Sequence, residues 1–237
     1  LAVLVPAYNE ADVIGESHRL LAAVLATLPM RCHVLYVDDG SRDATWDLVD
    51  ALSRTDERVQ ALRLSRNFGK EAAMTAGLDH IDADAVVVVA ADLQDPPELI
   101  PALLDRAAQG YDVVYATRAR RGGETWFKRF TSAAFYRTME RVSHTPVPRD
   151  TGDFRLMDRR VVEELRRYPE RNRFLRGMVA EIGFEQRAVE FDRDARHSGT
   201  TGYPLSKMIK LAADGIIGFS SFPLRLISAI GMVLAVG

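Results

Sequence analysis

Asp92, Gln94 and Asp95 stand at the end of an apolar run in the stretch "VVVVAADLQDPPEL" (86–99). Their oxygen atoms suit a hard divalent cation. Mg2+ or Mn2+ takes one or two carboxylates together with substrate phosphates and water, and a diphosphate needs such a cation to neutralise charge as it leaves. In an extended segment side chains alternate, so Asp92 and Gln94 point the same way. Asp95 is expected to cap the helix that opens with Pro96 and Pro97. Acidic groups follow other apolar runs as well. Asp38 and Asp39 in "VDDGS" can hold the base and ribose hydroxyls of a nucleotide, or form a turn in which Ser41 or Asp43 caps the next helix. Glu10 in "PAYNE" stands level with them, or serves a helix start through the dipole alone.

Other chemistries are excluded by what is missing. The chain of 237 residues has no GxGxxG, no Walker sequence and no Gly-Xaa-Ser-Xaa-Gly elbow. Its five histidines, His18, His33, His80, His144 and His197, are scattered, and its one cysteine, Cys32, forms no zinc cluster with them. A net charge of −2 gives no reason to expect nucleic acid. A single cysteine fits a reducing compartment.

The elements that must position these groups alternate. "LAVLV" (1–5), "HVLYV" (33–37), "VQALRL" (59–64), "DAVVVVAA" (84–91) and "DVVYAT" (112–117) are short β-branched runs. Runs that do not alternate in polarity imply strands covered on both faces. Between them lie helical patterns. "EADVIGESHRLLAAVLATL" sets Val13, Leu20, Leu21, Val24 and Leu28 on one side, and "PELIPALLDRAAQG" ends at Gly110. Strand and helix in turn give an α/β fold, a mostly parallel sheet with helices on both faces. Ligands then sit outside the carboxyl ends of the strands. Each strand exits into polar or glycine-bearing sequence: "PAYNE", "DDGSRD", "SRNFGK", "DLQDPPE" and "TRARRGGE". One rim of functional groups is the result.

The second half reads differently. Between residues 118 and 141, seven Arg and Lys face only Glu124 and Glu140, with Trp126, Phe127, Phe130, Phe135 and Tyr136 interleaved. Such a stretch is expected to lie on a membrane surface, with a solvated face as the alternative. "TGDFRLMDRRVVEEL" suggests a turn, a short strand and a helix, and "EQRAVEFDRDARHSG" an edge strand entering a basic loop. The uncharged run "LISAIGMVLAVG" (226–237) is expected to begin a transmembrane helix, although a span needs about 20 residues. No secretory signal pattern opens the chain, which is expected to be a piece of a longer protein. The expected divisions are 1–118 for a nucleotide-sugar half, 119–203 for an acceptor half with the membrane-surface helix, and 204–237 for a juxtamembrane helix and truncated transmembrane segment.

Taken in order, "PAYNE", "VDDGS", "SRNFGKEAAMTAGLDH", "DLQDPPELIP", "TGDFRLMDRR" and "GIIGFSSFPLRL" resemble the inverting family 2 glycosyltransferases that act on polyprenyl phosphate. The relatives are bactoprenyl-phosphate glucosyltransferases and dolichyl-phosphate mannose synthases. The resemblance implies a GT-A fold and a membrane enzyme with its active site on the cytoplasmic face, assembled as a tetramer. It places the nucleotide sugar at Pro6, Ala7, Tyr8, Glu10, Asp38, Asp39, Lys70, Ala91, Asp92, Gln94, Arg118 and Arg196. It puts the divalent cation, Mg2+ or Mn2+, on Asp92 and Gln94. Lys128, Arg129 and Ser132 would face the acceptor phosphate, and Asp153, with Asp92, would lie at the reacting centre. The implied reaction moves a hexose, glucose from UDP-glucose, onto undecaprenyl or decaprenyl phosphate with inversion. GDP-mannose is the alternative donor. Two positions depart from the family pattern. The first Asp of the Asp-Xaa-Asp metal motif falls on Ala90, and a Lys of the basic loop falls on Gly202. Ala90 opens a further alternative, a nucleotide-sugar-binding relative with impaired catalysis.

Overall fold

The apolar runs become strands buried along their length. In the computed structural model, which describes residues 1–118, 151–170 and 173–191, β1 (Ala2–Ala7) has all six residues buried. β2 is His33–Asp38, β3 Val59–Arg63, β4 Ala85–Val88, β5 Val113–Arg118, β6 Thr151–Asp158 and β7 Gln186–Phe191. The helices are α1 (Ile14–Leu25), α2 (Thr45–Thr55), α3 (Lys70–His80), α4 (Ile100–Ala107), α5 (Arg159–Arg167) and α6 (Leu175–Glu181). The chain divides into two compact units, Leu1–Arg120 with Asp150–His197, and Arg121–Arg149 with Ser198–Gly237. The described residues all belong to the first. The basic aromatic stretch, the juxtamembrane segment and the run 226–237 lie outside them. Among the described residues no helix is long and apolar enough to cross a membrane.

The seven strands form one sheet in the order β3-β2-β1-β4-β6-β5-β7. β1 pairs in parallel with β2 and β4, β2 with β3, and β5 with β7. Only β6 runs against its neighbours, β4 and β5. That reversal places the site. The parallel strands deliver their carboxyl ends to one rim, and a reversed strand delivers its beginning there. β6 pairs Val88 with Arg155 and Val86 with Met157. The same register carried two residues further sets Asp153 level with Ala90.

Alternate residues along the strands separate two cores. Val3, Val5, Tyr36, Val87, Val114 and Leu156 share one cluster with Ile14 and Leu21 of α1, Val49 of α2, and Ile100 and Leu103 of α4. On the other face α3 comes close to β1, because residue 77 is a glycine. A Cβ there would stand 2.2 Å from Leu4 Cδ1 and 3.1 Å from Val37 Cγ2. α1 buries Ile14, Leu21 and Leu25 with Ser17. The stripe expected from sequence is rotated: Val24 and Leu28 are only partly buried against the core, and Val13 occupies the cap position.

Three expectations at the end of β4 are corrected. The strand stops at Val88, not at residue 91. Beyond it the chain turns instead of staying extended: Leu93 is left-handed, with φ of 58°. Two hydrogen bonds fold the segment. The Gln94 N–H donates to Asp92 Oδ1 at 3.1 Å, and the Ala90 N–H donates to Asp95 Oδ2 at 3.1 Å. Alternation therefore does not set Asp92 and Gln94 side by side; a tight turn brings them together. Asp95 does not cap the following helix either. Pro96 holds the cap position of the Pro97–Leu99 turn, with no side-chain bond to it, because the Asp95 carboxylate is spent on Ala90.

Replacing Gly77 by Ala tests the close approach of α3. Ala is better by about 1 kcal/mol in a helix interior, yet overpacking costs about 1–3 kcal/mol. Urea unfolding of Gly77→Ala is expected to show a net loss of stability, and Leu4→Val in the same chain is expected to recover part of it.

Candidate active site

The rim is built from loops that hold one another. After β1 the backbone turns at Asn9, which takes a left-handed conformation with φ of 55°, one that Asn tolerates better than most residues. The Asn9 N–H donates to Ser41 Oγ at 2.9 Å, and Asn9 Oδ1 accepts from the Arg42 N–H at 2.9 Å. The Glu10 N–H donates to Thr45 Oγ1 at 2.8 Å, and the Ala11 N–H to Asp43 Oδ2 at 3.2 Å. The first loop is thus pinned to the second. Gly40 allows the second to meet the third: its φ is 66°, and a Cβ would lie 2.4 Å from the Arg66 carbonyl carbon.

Asp39 fastens that third loop. Its two oxygens accept from Asn67 Nδ2 at 2.9 Å, from the Phe68 N–H at 2.8 Å and from the Gly69 N–H at 2.8 Å. With 3% of its surface exposed, it holds a loop in place. Asp38 is fully buried. It accepts from the Ser41 N–H at 3.2 and 3.3 Å and lies 3.4 Å from Arg63 Nε. The Ser41 hydroxyl is used on Asn9 and not as a helix cap. Asp43 accepts from the Thr45 N–H at 3.0 Å, at the start of α2.

Next to this platform the charge is negative. Burial first, and then the charges of Asp92 and Asp43, push the Glu10 carboxyl up to about 7 against the opposing pull of Lys70. Glu10 and Asp92 therefore share one electrostatic field. A cation entering it would relieve their repulsion. Among the described residues Asp92 Oδ1 accepts only the Gln94 N–H, and no group of three or more His, Cys, Asp or Glu is assembled to hold a metal. One carboxylate plus substrate phosphates is a usual Mg2+ donor set. Asp92 and Gln94, oxygen donors in a tight turn beside an acidic group, fit that role.

Three cations, Lys70, Arg155 and Arg176, gather about Asp153. Asp153 lies between Lys70 Nζ, at 2.7 Å from Oδ2, and Arg176 Nε, at 2.6 Å from Oδ1. Its side chain is 8% exposed. Burial alone would raise its pKa, but Lys70 and Arg176 overcome that and hold the carboxyl well below the usual carboxylate range. Burial likewise presses on Lys70, and the Asp153 carboxylate keeps its ammonium above its ordinary pKa. Arg155, 6% exposed, donates to the Gly152 carbonyl at 3.0 Å. Burial draws its pKa down to about 10, with Asp153 opposing.

The structure thus brings Pro6, Ala7, Tyr8, Glu10, Asp38, Ala91, Asp92, Gln94, Lys70 and Asp153 to one rim. Pro6 and Ala7 are buried at the end of β1, Tyr8 is 37% exposed and Ala91 2% exposed. Arg118 ends β5, and its side chain lies outside the described residues. Lys128, Arg129, Ser132, Arg196 and Gly202 lie outside them too. The sequence reading missed Arg176 on Asp153, and it missed the staples Asn9, Ser41, Asp43 and Thr45. "PAYNE" and "DDGSRDAT" do carry the staple residues, but nothing in their spacing shows that they bond across 30 or more residues. Arg176 sits in "NRFLRG", where no motif marks it.

Glu10 offers a test of the acidic field. Its carboxyl holds a proton more tightly in the folded chain than in the unfolded one. The wild type therefore loses stability as pH rises from the unfolded value through about 7. Glu10→Gln cannot lose that proton. Urea unfolding is expected to show the variant gaining on the wild type between pH 5 and pH 8, and equal profiles would remove the acidic field.

Comparison with known proteins agrees with this geometry. The family model "Glycosyl transferase family 2" matches residues 2–166. The uncharacterised glycosyltransferase YkcC of Bacillus subtilis (strain 168) is 47% identical over 99% of this chain and 72% of its own length. The bactoprenol glucosyl transferase of Shigella phage SfV is 38% identical over 99% of this chain and 76% of its own. Among solved structures, the mannosyltransferase PcManGT from Pyrobaculum calidifontis, in complex with GDP-Man and Mn2+, superposes with a TM-score of 0.61. It is 20% identical and covers 85% of this chain and 58% of that one. The seven-stranded mixed sheet with its helices is accordingly the GT-A fold, and the chain belongs to glycosyl transferase family 2 as a glycosyltransferase.

Proposed function

We propose that the chain transfers a hexose, glucose from UDP-glucose, to a polyprenyl phosphate with inversion at the anomeric carbon. The observation that carries this reading is Asp153 held between Lys70 and Arg176, level with the exit of β4. The relative named bactoprenol glucosyl transferase supports the acceptor class and the sugar. The enzyme works at the cytoplasmic face of the cell membrane as a tetramer. Residues 119–203 serve the acceptor, and 204–237 reach the membrane.

The acceptor phosphate oxygen forms a bond to the anomeric carbon as the bond to the nucleoside diphosphate breaks. The electron pair leaves with the diphosphate. A phosphate monoester has its second pKa at about 6, so the nucleophile needs no proton removed at neutral pH. Asp153, already bound by two cations, has little affinity for a proton. It acts by fixing the cations beside the reacting atoms. Catalysis rests on alignment and on stabilising the leaving charge. Asp38 and Tyr8 hold the nucleoside end. Asp92 and Gln94 would hold Mg2+ or Mn2+, which would supply positive charge to the diphosphate. Arg118 and Arg196 reach the phosphates, since the guanidinium fork binds two oxygens. Lys128, Arg129 and Ser132 take the lipid phosphate.

Ala90 favours one second reading, a relative that binds nucleotide sugar but turns over poorly. The position carries no carboxylate, and its N–H is held by Asp95. A transfer assay with the whole protein, undecaprenyl phosphate and labelled UDP-glucose or GDP-mannose separates the readings. Glucosyl lipid is expected from UDP-glucose and is expected to vanish with EDTA. Mannosyl lipid alone would replace the donor. No lipid product from either donor, even after Ala90→Asp, would overturn the reading.

A further inference from the structure

α6 is a short helix that another element starts. It spans seven residues, and Phe174 at its cap position makes no side-chain cap bond. The first N–H groups of any helix lack partners within it, and so short a helix is marginal in isolation. Here the Leu175 N–H donates to Glu71 Oε2 at 3.1 Å. Glu71 lies in the first turn of α3, 104 residues away in sequence. A carboxylate also suits the positive end of a helix.

The neighbours of both residues meet on one carboxylate. Lys70, before Glu71, places Nζ 2.7 Å from Asp153 Oδ2. Arg176, after Leu175, places Nε 2.6 Å from Asp153 Oδ1. The start of α3 therefore grips Asp153 directly through Lys70 and a second time through Glu71, α6 and Arg176. Glu71 also balances charge. Lys70, Arg155 and Arg176 are three cations, and Asp153, Glu71 and Asp95 are three anions interacting with members of that group. Removing Glu71 leaves α6 no longer anchored at its start.

We propose that Glu71 is a positioning residue for the transfer: by holding the first backbone N–H of α6 from the first turn of α3, it keeps Arg176 on Asp153. The role in transfer rests on the reaction proposed above; the mechanical link does not.

Four variants of the full chain test it: Glu71→Ala, Glu71→Gln, Arg176→Ala and the double variant Glu71→Ala with Arg176→Ala. A displacement of about 1 Å at a reacting centre can cost about 100-fold in rate. Glu71→Ala is expected to lower kcat by about 10- to 100-fold while KM for UDP-glucose stays within about twofold. Glu71→Gln keeps an oxygen for the Leu175 N–H and is expected to recover most of kcat. The double variant is expected to be no slower than Arg176→Ala. In urea, the double variant is expected to lose at least about fivefold less in the unfolding constant than the product of the two single losses. An unchanged kcat in Glu71→Ala would overturn the proposal. So would kcat and KM failing together, Glu71→Gln as slow as Glu71→Ala, or additive effects in the double variant. If the wild type transfers no sugar, the part in transfer falls with that reaction, and the urea cycle alone decides whether the link from Glu71 to Arg176 exists.

Discussion

A carboxylate almost withdrawn from water must be paired, and Asp153 sets the terms for much of the described structure. Its charge is tolerable because Lys70 and Arg176 reach it from two different helices. For that to happen β6 must run against β4, so that its beginning comes to the rim where the parallel strands end. α3 must also pack close to the sheet, which Gly77 permits, and α6 must begin where Glu71 can hold it. A single reversed strand, a glycine at a helix–sheet contact and a bond between two helix starts serve the same ion pair.

The acidic residues divide their labour. Asp39 and Asp43 build: each binds backbone N–H groups of a neighbouring loop or helix start and so fixes the platform. Glu10 and Asp92 remain as a negative field toward which a cation is drawn. Asp153 does neither, since its oxygens already carry two cationic partners. The rim therefore carries an acidic pair, Glu10 and Asp92, and a set of cations drawn to Asp153. This suits the proposed displacement, in which charge moves from an acceptor phosphate to a leaving diphosphate. In such a reaction prealigned charge contributes more than a proton acceptor.

Much of this was legible in the sequence. Unbroken β-branched runs gave away strands covered on both faces, and the polar exits of those strands located the rim. The strand and helix of "TGDFRLMDRRVVEEL" appear as β6 and α5, although β6 already begins at Thr151 where a turn was expected, and the edge strand of "EQRAVEF" appears as β7. What escaped was non-local or conformational. Pairing of β6 between β4 and β5 depends on contacts far apart in the chain. Leu93 adopts a left-handed turn that a leucine does not announce, so the extended reading of Asp92 to Gln94 failed. Asp95 looked like a cap because two prolines follow it, but the part-buried backbone N–H of Ala90 claimed it. Arg176 and Glu71 could not be paired without knowing that α6 starts against α3.

The most direct measurement is the titration of the Asp153 carboxyl carbon by NMR in the free protein with labelled aspartate, assigned by comparison with Asp153→Asn. If Lys70 and Arg176 hold the group ionised, its resonance stays flat from pH 8 down to about pH 4, near which an ordinary aspartate titrates. A midpoint at about pH 4 or above would show a carboxyl free of its two cations and able to accept a proton, and would contradict the role given to it here.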